Sequence, residues 1–170
     1  VPPKRLSDLW KLRGSAGRVL AMRPKRVANT RRDLGADLSG LPNLQLWPKD
    51  GGRFVTFGLV STEHPVTRGR NLGIYRMHVY DSRTTGMHWQ LQKVGARHGR
   101  RYYETGTRMP VAVFLGGDPV FTFCATAPLP DGLDEFLLAG YLRKHSVDLV
   151  KCQTVDLEVP ANADFVIEGY

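Results

Sequence analysis

Asn71 and Glu135 are the residues best suited to hold a hard cation, since such ions take carboxylate and amide oxygens and often bridge to a phosphate. Each also has an ordinary role open to it: Asn71 in a turn, and Glu135 as a carboxylate at the positive end of a helix. Arg76 stands between Tyr75 and Met77, where an arginine is either ion-paired on a solvated face or a bidentate clamp for an anion. Lys93, Arg97 and His98 make a positive patch that either holds a phosphate or faces solvent as a basic loop. His78 and His88 sit in strand-like runs, where histidines are more often structural than metal-binding. Gly51-Gly52 and Gly116-Gly117 are turns as readily as anion cradles. The sequence carries no nucleophile elbow, phosphate-binding glycine loop or zinc motif.

The elements that must position these residues are mostly strands. Residues 70–80 and 87–93 flank a turn built from Asp81, Ser82, Thr84, Thr85 and Gly86, which predicts a hairpin. Its polar first arm reads as the wall of a binding site. Residues 54–60, rich in β-branched and aromatic types, predict a strand, and 109–115 predict a buried one. Asp118 and Pro119 open a short helix through residue 123, and a proline-bounded loop leads into a helix over 133–142. Residues 147–152 and 165–170 predict two more strands. Before these, Ser7 or Asp8 caps a short helix carrying Leu9, Trp10 and Leu12, which Gly14 and Gly17 weaken further on. Residues 24–43 read as a polar, basic connector with little structure of its own. About six strands, one or two peripheral helices and many Gly/Pro turns favour a mainly β (α+β) barrel over a parallel doubly wound sheet.

At 170 residues, one domain with a real core is the expectation. The 24 Lys and Arg against 16 Asp and Glu leave a net charge of +8, which suits an anionic partner or a solvated basic surface alike. No apolar run approaches the ~20 residues a membrane-spanning helix needs, and no signal peptide is visible, so a cytoplasmic location is expected. Cys124 and Cys152 lie in apolar runs and read as buried, reduced thiols. The chain stops inside an apolar strand, which reads as a cut.

Several phrases taken together carry more than composition does. Trp47-Pro48-Lys49-Asp50-Gly51-Gly52-Arg53-Phe54, Arg70-Asn71-Leu72-Gly73-Ile74-Tyr75-Arg76 and Thr84-Thr85-Gly86-Met87-His88-Trp89 come first. Met109-Pro110-Val111-Ala112-Val113, Gly116-Gly117-Asp118-Pro119, Pro128-Leu129-Pro130-Asp131-Gly132-Leu133-Asp134-Glu135 and Glu168-Gly169-Tyr170 follow in order. The sequence from about residue 41 to 170 resembles the UbiD family of reversible decarboxylases, which use prenylated FMN on aromatic and α,β-unsaturated acids. Residues 1–40 match only loosely.

The resemblance implies a split β-barrel flavin-binding domain over 41–170, preceded by a basic N-terminal helix and connector over 1–40. The family's metal-liganding asparagine and glutamate fall on Asn71 and Glu135, which would hold Mn²⁺, with K⁺ as a second candidate ion, against the flavin phosphate. Cofactor contacts fall on Ile74, Tyr75, Arg76, His88, Trp89, Gln90, Lys93 and Val94. Arg76 also matches the arginine of the family's Glu-Arg-Glu catalytic trio, where it would orient the substrate carboxylate. Many members carry a histidine where this chain has Gln92. In the family the flavin carries the substrate through loss of CO₂ and a glutamic acid returns the proton. The two acids of the trio lie downstream of the family's Glu-Gly-Tyr, so these residues alone are expected not to turn over, and Glu168 does not replace them. The resemblance also implies aromatic or unsaturated acid substrates, quinone precursors among them, a flavin prenyltransferase as cofactor supplier, and a homo-oligomer at full length. No nucleic-acid partner is expected.

Two other functions compete. A basic β-barrel binding single-stranded nucleic acid would need exposed aromatics interleaved with Lys and Arg, and Tyr75, Tyr80 and Trp89 are its candidates. A flavin reductase using ordinary FMN on a similar barrel is the other.

Overall fold

Five apolar residues in a row, 111–115, need cover on both faces of the strand they form, and the fold supplies it. The computed structural model describes residues 13–33, 35 and 37–170; the helix expected around residues 7–12 lies outside them. Along the chain run α1 (Arg13–Met22), β1 (Lys25–Arg26), a 3₁₀ turn (Leu38–Gly40), β2 (Arg53–Val55), β3 (Leu59–Glu63), β4 (Arg70–Ile74), β5 (Met77–Val79) and β6 (Thr85–Met87). After them come α2 (Val94–Glu104), β7 (Val111–Leu115), α3 (Pro119–Thr126), α4 (Glu135–Arg143), β8 (Asp148–Lys151), β9 (Glu158–Pro160) and β10 (Phe165–Gly169).

The central sheet is antiparallel, in the order β10-β7-β3-β4. Alternate residues of its strands enter two separate cores. Leu59, Leu72, Ala112 and Phe114 join Phe121, Phe136, Leu149 and Val159 on the face covered by α3, α4 and the β8–β9 hairpin. Phe114, Phe121 and Phe136 pack as a trio with ring centroids 5.8–6.4 Å apart. Val60 and Val113 meet Val55, Tyr75 and Met77 on the opposite face, under a small antiparallel sheet ordered β2-β5-β6. The third sheet, β1-β8-β9, flanks the first core. The fold is mostly sheet with few helices, as expected. Among the described residues its strands form three sheets and no closed barrel.

Three expectations are corrected. The run 54–60 is two strands in different sheets, because the chain bends at 56–58; a Cβ on Gly58 would sit 2.8 Å from Val113 Cγ1. The first arm of the expected hairpin breaks likewise at Tyr75 and Arg76, so the hairpin proper is β5–β6, with His78 opposite Gly86. The basic stretch at 97–101 is helical within α2, since Gly95, Ala96, His98 and Tyr102 bury one face of it. Asp118 caps α3 ahead of Pro119 as expected, with the helix running on to Thr126, and the helix expected over 133–142 starts two residues later, where Asp134 caps α4 by accepting from the Phe136 N–H at 2.8 Å.

The segment after α1 takes its order from its neighbours. Lys25 and Val27 donate backbone bonds to the Val147 and Leu149 carbonyls, both at 2.8 Å. Arg31 Nη2 donates to the Pro160, Ala161 and Ala163 carbonyls at 3.1, 3.0 and 2.6 Å. No helix of the described residues is long and apolar enough to cross a membrane.

Gly14 and Gly17 do not interrupt α1, whose last turn rests on α4 at Gly140. A Cβ there would run into the Ala21 carbonyl and stand 3.0 Å from that of Met22. Gly140→Ala is therefore expected to lower stability by about 1–3 kcal/mol in urea unfolding. An unchanged midpoint would contradict this close packing of α1 on α4.

Candidate functional site

Asn71 lies on the edge strand β4 of the central sheet, and Glu135 reaches that strand at the next residue, Leu72. β4 pairs only with β3, so its outward backbone groups need partners. Glu135, first residue of α4, supplies one: its Oε2 accepts from the Leu72 N–H at 2.8 Å. Arg70 fixes this arrangement by donating to Asp134 at 2.9 Å and to Glu158 at 2.6 Å, with its guanidinium over the Phe136 ring. Burial pushes the Glu135 carboxyl up to about 7, against the lowering effect of the Leu72 N–H. One residue before Leu72, the buried Asn71 donates through Nδ2 to Thr62 Oγ1 at 3.5 Å. Its Oδ1 accepts no hydrogen bond among the described residues. The Glu135 carboxylate on the Leu72 N–H and the amide oxygen of Asn71, one residue before it, are the donor types that a hard cation takes, its remaining ligands coming from phosphate or water.

β4 runs directly into the bend that carries the other candidates. Ile74 ends the strand, and its freed carbonyl accepts from Lys93 Nζ at 3.3 Å. Tyr75 is buried, its hydroxyl accepting from the Gly95 N–H at 3.1 Å and its ring tilted on Trp89 at 4.8 Å. Lys93 Nζ lies 5.0 Å from the centre of the same ring. Arg76 is exposed with its guanidinium 4.6 Å over Phe54, and its carbonyl accepts from the His88 N–H at 3.0 Å. The Gln90 carbonyl accepts from Lys93 N, and Lys93 precedes Val94, the first residue of α2. Lys93 makes no side-chain cap, so the N-terminus of α2 turns its positive pole toward the bend with a lysine beside it.

Other candidates are taken up differently. His78 stacks between Phe54 and Tyr80, at 4.5 and 4.7 Å, and has a packing role. Arg97 is tied to Asp131 by a bidentate pair at 2.8 and 2.7 Å, and His98 is buried in α2, so the expected patch does not gather. Both thiols are buried, and burial pushes Cys124 up to about 11 and Cys152 up to about 12. Tyr75, buried and bonded, is no stacking platform for nucleic acid. Sequence reasoning missed Thr62, whose hydroxyl shares a 3.1 Å bond with His98 Nδ1, and in a β-branched strand it carries no distinguishing signal.

The family described as "UbiD: 3-octaprenyl-4-hydroxybenzoate carboxy-lyase Rift-related domain" matches residues 20–170, and the chain belongs to it. An uncharacterised protein of Archaeoglobus fulgidus is 44% identical, over 99% of this chain and 36% of its own length. The UbiD-class enzyme HmfF from Pelotomaculum thermopropionicum, solved in complex with FMN, superposes with a TM-score of 0.82 at 28% identity over 93% of this chain and 37% of that one. An evolved dimeric form of the same enzyme, in complex with prFMN, gives 0.81 at 26% identity, over 92% of this chain and 39% of that one. The chain spans about a third of the length of the relatives it matches.

Burial holds the His98 imidazole down to about 4, with His64 and Arg97 adding to the effect. The unfolded chain takes up that proton near the ordinary value of 6.5, so this contribution to stability is complete above it and is lost as pH falls toward about 4. Denaturant unfolding at about pH 7 and about pH 4 is expected to differ by up to about 3 kcal/mol from this group. His98→Gln should flatten that part of the profile; an unaltered profile would exclude the assignment.

Proposed function

We propose that the chain is the flavin- and metal-binding domain of a UbiD-type carboxy-lyase that decarboxylates aromatic or α,β-unsaturated acids without net oxidation. The observation that carries this is the continuity of β4: Asn71 and Leu72, whose N–H holds the Glu135 carboxylate, lie on the strand that leads straight into Ile74, Tyr75 and Arg76. Asn71 and Glu135 would hold Mn²⁺, with K⁺ as a second candidate ion. The phosphate of prenylated FMN would lie toward this ion, Lys93 and Val94. Ile74, Tyr75, Arg76, His88, Trp89 and Gln90 would line the rest of the cofactor. The bound flavin would supply the electron sink for loss of CO₂.

The chain's own contribution is orientation and charge. Lys93 and the first turn of α2 would add positive charge to that of a bound divalent ion opposite a dianionic phosphate. Arg76 presents five donors in a planar fork that matches a carboxylate bidentately. Within these 170 residues Arg76 is the one member of the catalytic trio, and on this reading the two acids come from elsewhere in the protein. The substrate class includes quinone precursors, the cofactor comes from a flavin prenyltransferase, the full-length protein is a homo-oligomer, and the reaction is cytoplasmic.

FMN binding followed by flavin fluorescence should strengthen on adding Mn²⁺. Asn71→Ala and Glu135→Gln should each weaken Mn²⁺ binding at least about tenfold. Flavin affinity indifferent to Mn²⁺ would remove the metal from the proposal. With prenylated FMN, Mn²⁺ and a panel of aromatic acids, the 170-residue polypeptide should release no CO₂. In the full-length enzyme, Arg76→Ala should lower kcat/KM by roughly 10²–10³. CO₂ release by the polypeptide alone would overturn the division of labour.

A further inference from the structure

Among the described residues, the buried polar side chains are Ser61, Thr62, Asn71 and His98, and three of these four form one chain of hydrogen bonds. Thr62 and Asn71 are direct cross-strand partners on β3 and β4. Asn71 Nδ2 lies 3.5 Å from Thr62 Oγ1, which lies 3.1 Å from His98 Nδ1 on α2. Buried polar groups cost stability unless their partners are complete, and nothing in the packing of this core requires a hydroxyl at 62. The chain does have a directional consequence.

An asparagine can turn either end of its amide toward a neighbouring hydroxyl, and a neutral imidazole has one donor and one acceptor nitrogen. If His98 Nδ1 accepts, the single hydroxyl proton of Thr62 is committed to it. Thr62 Oγ1 is then an acceptor toward Asn71, the NH₂ end turns inward, and Oδ1 is left to face outward. If Nδ1 instead carried the proton, Thr62 would keep its own proton for Asn71 Oδ1. The amide donors would then point at the bound cation, against its charge. The neighbouring His64 sets no competing demand: its Nδ1 accepts from the Val66 and Thr67 N–H groups at 3.2 Å, and its ring meets His98 edge-on at 5.6 Å.

We infer that Thr62 and His98 are positioning residues that set the Asn71 amide with its oxygen toward the metal, with His98 carrying its proton on Nε2. This rests on the assignment of Asn71 as a metal ligand. Groups that orient a ligand in this way typically change metal affinity by roughly 10–100-fold when removed.

The test is Mn²⁺ titration of the full chain in the presence of FMN, with unbound Mn²⁺ read by electron paramagnetic resonance. Thr62→Val, which keeps the shape and removes the hydroxyl, should weaken Mn²⁺ binding roughly 10–100-fold. Thr62→Ser should restore it close to the unsubstituted value, which a merely space-filling role would not explain. Histidine ¹⁵N NMR of the unsubstituted chain should show the Nε2–H tautomer at His98. Unchanged Mn²⁺ affinity in Thr62→Val alongside a loss in Asn71→Ala would overturn this inference and leave the metal site standing. Unchanged affinity in Asn71→Ala would overturn both. An Nδ1–H tautomer would overturn the inference by itself, and decides the matter even if Thr62→Val does not fold.

Discussion

Two neighbouring strands bend from one sheet into the next at the same level, and the candidate site is built around that bend. Val55 pairs with Met77 on one side of it, and Leu59 pairs with Ile74 on the other. Strands that switch sheets must give up ladder bonds at the corner, and the freed groups need new partners. Here the Ile74 carbonyl is taken by Lys93 and the Arg76 carbonyl by the His88 N–H. The chain after β6 is therefore wrapped back over the corner by backbone necessity. Glycine makes this possible at two places: a Cβ on Gly73 would stand 2.6 Å from the Tyr75 ring, and one on Gly95 would stand 2.8 Å from its hydroxyl. Tyr75 fills the space that both leave open and anchors the bend.

What the sequence revealed was local. The apolar run at 111–115, the Asp118-Pro119 helix start, the proline-bounded loop before α4 and the motif order from Trp47 to Tyr170 each carry their own signal. The bends are set by tertiary contact: 54–60 has strand propensity throughout, and only the approach of Val113 to Gly58 separates β2 from β3. α2 was hidden for a different reason. Its buried face is made of Gly95, Ala96, His98 and Tyr102, so its period does not register as apolar. Thr62 is one more β-branched residue in a strand until His98 arrives from 36 positions away.

The net charge of +8 suits an anionic partner or a solvated basic surface alike, and the fold shows how little that figure says about place. Arg70 bridges Asp134 and Glu158, Arg97 grips Asp131, Arg143 pairs with Asp118, and Arg31 serves three carbonyls. These cations hold elements together. Lys93 and Arg76 flank the bend without a carboxylate partner among the described residues. Position, more than total charge, makes an anion site here.

The same reasoning explains why the oxygen pair depends on the whole domain. Glu135 and Asn71 lie 64 residues apart on different elements, and Arg70 ties β4, which carries Asn71, to the start of α4 and to β9. β9 in turn is held by β8, and its far end by Arg31 from the N-terminal segment. A cation at Asn71 and Glu135 would thus bind where the central sheet, the β8–β9 hairpin and α4 are assembled, and its binding free energy would stabilise that assembly. Carboxylate burial works in the same direction. Without a cation the raised Glu135 carboxyl disfavours its charged form, and a bound ion would relieve that cost at the point where the sheets and α4 converge. Metal binding and the integrity of the domain are on this view one equilibrium.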